Sequence, residues 1–120
     1  VKRVVPQLIR YGKVIRPGLD ISIVSESIAE RLGIEGVIIA RVYPRSSAAR
    51  AGLKGIARTR RGEYILGDII ISVDGQRIRN YDDLAYVFEK YEVGDWVELG
   101  ILRRGKKIKV RVQLEAVEEE

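Results

Sequence analysis

The chain has 120 residues, 46% of them apolar and 32% charged, which suits one domain burying roughly two-thirds of its unfolded surface and excludes a disordered polymer. It has no cysteine and no histidine, which excludes disulfides, thiolate metal sites, thiol nucleophiles and a Ser-His-Asp triad. The net charge of +5 combines basic clusters at Arg58, Arg60, Arg61, Arg103, Arg104, Lys106 and Lys107 with an acidic end at Glu118, Glu119 and Glu120, a pattern that reads first as solvated turns.

In chain order, Val1, Val4, Val5, Leu8 and Ile9 recur at helical spacing, and Pro6 and Gly12 bracket a short helix over residues 6–11. Residues 13–18 read as a linker. Leu19, Ile21 and Ile23 alternate as a strand with one buried face, and Ser25 is placed to cap a helix over residues 25–32 that Gly33 ends. The apolar run over residues 37–42 suits a buried strand. A loop from Pro44 to Leu53 then carries one short helical turn, and the basic stretch 54–65, with Gly55 and Gly62, forms a surface hairpin.

Gly67-Asp68 leads into a strand over residues 69–73, and Asp74-Gly75 is a strong signal for a type I′ hairpin turn, which needs positive φ twice. Its partner strand spans residues 76–79. Asn80 or Asp82 caps a helix carrying Leu84, Val87, Phe88 and Tyr91, and Gly94-Asp95 ends the connection after it. Two alternating strands, 96–102 and 107–117, flank the turn Arg103-Arg104-Gly105. The expected class is α+β, mainly β: a partly open β-barrel of five to six strands with two helices, preceded by a short N-terminal helix.

Particular residues go further than spacing. The order Gly18-Leu19-Asp20-Ile21, then Pro44-Arg45-Ser46-Ser47-Ala48-Ala49-Arg50-Ala51-Gly52-Leu53, then Leu66-Gly67-Asp68-Ile69-Ile70-Ile71-Ser72-Val73-Asp74-Gly75 resembles the PDZ domains of HtrA/Deg-type serine proteases. Asp83-Leu84 on a helix and Val93-Gly94-Asp95 after it extend the match. The resemblance implies that residues 1–15 are the C-terminal helix and linker of an upstream protease domain, 16–116 a PDZ domain and 117–120 an acidic tail. The absence of methionine likewise leads us to expect a piece of a longer chain.

By resemblance, such a domain captures apolar C-termini or unfolded segments through β-strand addition, serving protein quality control in a bacterial periplasm or cell envelope. Its partners would be those peptides, the upstream protease domain and a homo-oligomer. No cofactor, metal, nucleic acid or membrane insertion is expected. An assembly role in subunit contacts is the alternative.

The resemblance also assigns a site. Backbone N–H groups of Leu19, Asp20 and Ile21 would hold a peptide carboxylate, with Arg16 adding longer-range attraction. The strand through Ile21, Ser22 and Ile23 would offer its free edge, and Tyr81, Ala85 and Phe88 would share the facing helix wall. Without the resemblance, a lone phenylalanine on a helix reads more readily as a core residue than as a ligand contact, so only the family match turns Phe88 to the groove, with Leu84, Val87 and Tyr91 on the core face. Asp20 departs from the family, whose loop has glycine there; it brings a Cβ and a like charge toward the carboxylate.

Other classes find little support. Asp68, Asp74, Asp82 and Asp83 read as turn or cap residues rather than catalytic acids. The basic hairpin interleaves only Tyr64 with its arginines, which is thin for a nucleic-acid surface.

Overall fold

The computed structural model describes residues 8–10 and 13–119, with side chains from 16 to 117. The elements are β1 (Leu8–Arg10), β2 (Lys13–Gly18), β3 (Ile21–Ile23), α1 (Glu26–Arg31), β4 (Val37–Val42), α2 (Ser47–Arg50), β5 (Ala57–Arg58) and β6 (Tyr64–Ile65). They continue with β7 (Ile69–Val73), β8 (Gln76–Arg77), α3 (Tyr81–Phe88), β9 (Trp96–Arg103), β10 (Lys106–Gln113) and β11 (Glu115–Glu119). The main sheet runs β10-β9-β7-β4-β3, with β8 paired to β7. A second sheet, β1-β2-β11, flanks it, and β5-β6 is a separate hairpin. The fold is mainly β with few helices, and its sheets are open, with β10 and β3 at the two ends of the main one.

The core follows from alternation and helical spacing. Val97, Leu99 and Ile101 of β9, Ile70 and Val73 of β7, and Val37 and Ile39 of β4 pack against Leu84, Val87 and Phe88 of α3. A smaller cluster of Ala29, Ile38 and Ile69 lies under α1. At Asp74 and Gly75 φ is 47° and 84°, the left-handed pair that the turn demands. Asp74 does more than turn the chain, since its carboxylate accepts the Glu98 N–H at 2.7 Å and the Tyr91 hydroxyl at 2.6 Å.

The basic stretch 54–65 is an exposed hairpin, as its composition suggests. Its base is a close crossing: a Cβ on Gly67 would stand 2.4 Å from the Gly55 carbonyl carbon, and one on Gly55 2.6 Å from the Ala40 carbonyl oxygen. Only glycine fits either position.

The chain ends differ from expectation. Leu8–Arg10, expected inside a helix over residues 6–11, is a strand paired with β2, while positions 6, 7 and 11 lie outside the described residues. The stretch 13–18, expected as a linker, is β2, which pairs with β1 on one side and β11 on the other. A six-residue helix starting at proline has little intrinsic stability, whereas β2 offers a complete row of backbone partners. The end expected as an acidic tail continues β11, with Val117↔Arg16, Glu118↔Ile15 and Glu119↔Val14 in register.

Candidate functional site: a groove between β3 and α3

Strand β3 is paired on one edge only, Ile21↔Val42 and Ser22↔Arg41, with a register shift before Ile23↔Ile39. Val24 N–H donates to the Ile38 carbonyl on that paired side at 2.9 Å. By backbone alternation, the N–H and C=O of Ile23 point to the open edge. Helix α3 faces this edge. Its start is set by Asn80, whose side chain accepts the Asp83 N–H at 2.9 Å, while the Asp83 carboxylate accepts the Arg79 N–H at 3.0 Å, a variant of the capping box. The Arg79 backbone bond holds Asp83 below the usual carboxylate range. Helix α1 lacks such a cap: the Ser25 hydroxyl lies 3.3 Å from that of Ser27 and makes no cap bond.

Between β3 and α3 lies a mainly apolar cavity of about 340 Å³. One wall is Arg16, Pro17, Gly18 and Leu19 with Ile21 and Ile23; the other is Tyr81, Leu84, Ala85, Phe88 and Glu89; Val117 of β11 joins at the loop end. The structure thus brings together Arg16, Leu19, Ile21, Ile23, Tyr81, Ala85 and Phe88. It does not bring in the side chains of Asp20 or Ser22. Ser22 points to the other face, its hydroxyl 2.9 Å from that of Tyr43, as strand alternation requires. Asp20 is exposed, away from the cavity lining, and its φ is not in the left-handed region, so the backbone needs no glycine there.

Two details correct the expected roles. The Ile21 N–H, expected in a carboxylate nest, donates to the Leu19 carbonyl at 3.0 Å, closing a three-residue turn. Phe88 is both core and wall, being 6% exposed yet lining the groove. Leu84, assigned to the core face alone, does the same at 3%. Leu84, Glu89, Gly18, Pro17 and Val117 were not anticipated as lining residues. Glu89 was findable, being four positions after Ala85 on the same helical face. Val117 was not, because its place depends on the β2–β11 pairing. At the groove mouth Arg16 Nη1 meets Glu89 Oε1 at 3.1 Å, joining β2 to α3.

Residues 16–114 match the family model described as PDZ domain. The chain belongs to the PDZ domain family. Among relatives, this PDZ domain is 40% identical over 112 residues to Protease Do-like 1, chloroplastic, of Arabidopsis thaliana, covering 93% of the chain and 26% of that protein. It is 31% identical over 120 residues to the periplasmic serine endoprotease DegP of Escherichia coli, covering 96% of the chain and 23% of that protein. It spans about a quarter of the length of these relatives.

Among solved structures, the HtrA-type protease AlgW with decapeptide superposes with TM-score 0.63 at 24% identity, over 92% of this chain and 32% of that one. The HtrA3 PDZ domain bound to a phage-derived ligand gives TM-score 0.63 at 18% identity, over 89% and 92%. These two establish the shared fold. In sequence, this PDZ domain is similar to segments of the Do-like and DegP proteases named above.

Proposed function

We propose that this PDZ domain binds apolar C-termini or unfolded segments as an added strand on β3. The observation that carries the reading is an open β3 edge facing α3 across an apolar cavity. Main-chain bonds to that edge would supply affinity, and the cavity would take the last side chain. Arg16, Leu19, Ile21, Ile23, Tyr81, Ala85 and Phe88 carry these contacts through side chains and Asp20 contributes through its N–H, while Ser22, whose backbone faces β4 by the same alternation, supports the strand without touching the peptide. A carboxylate would be met by the Leu19 and Asp20 amides, or would displace the Ile21 bond to Leu19. The domain would serve an upstream trypsin-like serine endopeptidase in protein quality control, with residues 1–15 leading from that domain. The relatives' names divide between chloroplastic and periplasmic proteins, so the bacterial cell envelope, expected from the resemblance, does not follow from the family.

The test is calorimetric titration of a peptide ending in valine, as free acid and as C-terminal amide. Tighter binding of the acid is expected. Equal affinity would mean that internal segments are recognised, and no binding of either would reject the groove. A second reading, subunit assembly, is favoured by the exposed Tyr64 and Ile65 at the end of the basic hairpin and Leu66 just after it; substituting all three by serine and measuring solution mass would test it.

A further inference from the structure

A second cavity of about 160 Å³ opens beyond the far end of the groove, and Ile23 and Tyr81 line both. Val24, Ala29 and Ile34 give it an apolar floor, and its charged lining is Glu26, Glu30 and Glu35 against Arg79. Glu35 is paired with Arg77, and Arg79 with Asp83. Glu26 and Glu30 form no ion pair among the described residues. They stand four apart on α1, the spacing at which like charges destabilise a helix. The cavity therefore joins an apolar floor to an uncompensated negative rim, in direct continuity with the groove.

A strand added to β3 rises about 3.4 Å per residue and turns alternate side chains to the same face. With its last residue beside Leu19 and Ile21 and its direction antiparallel to β3, its third residue from the end is level with Ile23. The fifth then passes Val24 and lies over the second cavity. We propose that this cavity is a second subsite of the peptide groove, taking a lysine or arginine at the fifth position from the peptide's C-terminus. The inference rests on the peptide-binding reading above. The aliphatic stem of such a side chain covers Val24, Ala29 and Ile34 while its cationic head reaches the rim carboxylates. The exposed Tyr81 ring at the junction adds a cation–π surface along the way. A glutamate at that position would meet the same rim with the wrong sign.

The experiment uses the 120-residue chain and three free-acid peptides ending in valine, identical except for Lys, Ala or Glu at the fifth position from the end, titrated at low and high salt. The Lys peptide is expected to bind about threefold tighter than the Ala peptide at low salt, and the Glu peptide more weakly than either. High salt should compress the order. In the double variant Glu26→Gln, Glu30→Gln, the Lys advantage should vanish while the Ala peptide binds as before; Glu63→Gln, on the hairpin, should keep the advantage. Equal binding of Lys and Ala peptides to the native chain, or an advantage that survives the double substitution, overturns the subsite while leaving the groove intact. If none of the three peptides binds, the groove and the subsite fall together.

Discussion

Arg103 holds Asp68 with both arms of its guanidinium: Nε donates to Oδ1 at 2.9 Å and Nη2 to Oδ2 at 2.8 Å. Asp68 is 1% exposed, and it also accepts the Lys54 N–H at 2.9 Å. Arg103 Nη2 reaches the Gly52 carbonyl as well. One ion pair thus ties β9 to the start of β7 and to the base of the basic hairpin, and the Asp68 hydrogen bond raises the Arg103 pKa further. Arg103→Ala would leave a buried carboxylate short of its cation and should destabilise the domain by about 3 kcal/mol in urea unfolding. Asp68→Asn should cost less, since the amide is neutral. A loss below about 1 kcal/mol for Arg103→Ala would show that Asp68 is satisfied by its remaining bonds.

Phe88 lines the groove from a buried position, so its truncation acts on two properties at once. Phe88→Ala should cost about 3 to 5 kcal/mol of stability, which makes it a poor probe of binding. Phe88→Leu keeps most of the volume and should weaken binding of a valine-ending peptide while the melting temperature falls only slightly. Leu84→Ala should lose about 2 to 5 kcal/mol and, where folded, bind more weakly too. Full affinity in a folded Leu84→Ala would show that the cavity does not take the peptide's last side chain.

The Arg16–Glu89 pair spans the groove mouth with side chains 24% and 50% exposed. A peptide carboxylate arriving there competes with Glu89 for the same guanidinium. Glu89→Gln should therefore tighten free-acid binding by about two- to fivefold at low salt, with the gain fading as salt rises. Arg16→Gln should shift affinity the other way. Identical titrations for the native chain and both variants would remove Arg16 from carboxylate recognition.

Burial, followed by the hydrogen bond to Asp74, pushes the Tyr91 phenol from 10.0 up to about 12. The folded state favours the neutral phenol, so the associated stability is fully present below pH 10 and is lost as pH rises through about 12. A tyrosinate absorbance titration should contain a late component near pH 12 that is missing from Tyr91→Phe. The stability difference between the native chain and this variant should shrink across the same window. A titration curve without the late component would contradict the Tyr91–Asp74 bond.

Features decided by a few adjacent residues were legible in the sequence. Asp74-Gly75 and Arg104-Gly105 both take positive φ at each position, because the twist of a two-residue hairpin requires it. Asn80 starts α3 and Gly62 turns the basic hairpin with φ at 83° for equally local reasons, whereas Gly55 is required by its close crossing with Ala40. Spacing put Ile21 and Ile23 on one strand face and Tyr81, Ala85 and Phe88 on one helix face, but it was the family resemblance that made those faces the walls of a groove. Only the tertiary structure decided the rest. Leu8–Arg10 carries a helical spacing, yet it is a strand, because β2 supplies pairing that an isolated turn of helix cannot match. Val117 enters the groove because β11 returns to β2 from the far end of the chain. Leu84 and Phe88 are core and wall together because α3 closes over the end of the core, so periodicity, which separates one helix face from another, has no means of saying where packing stops and the open groove begins.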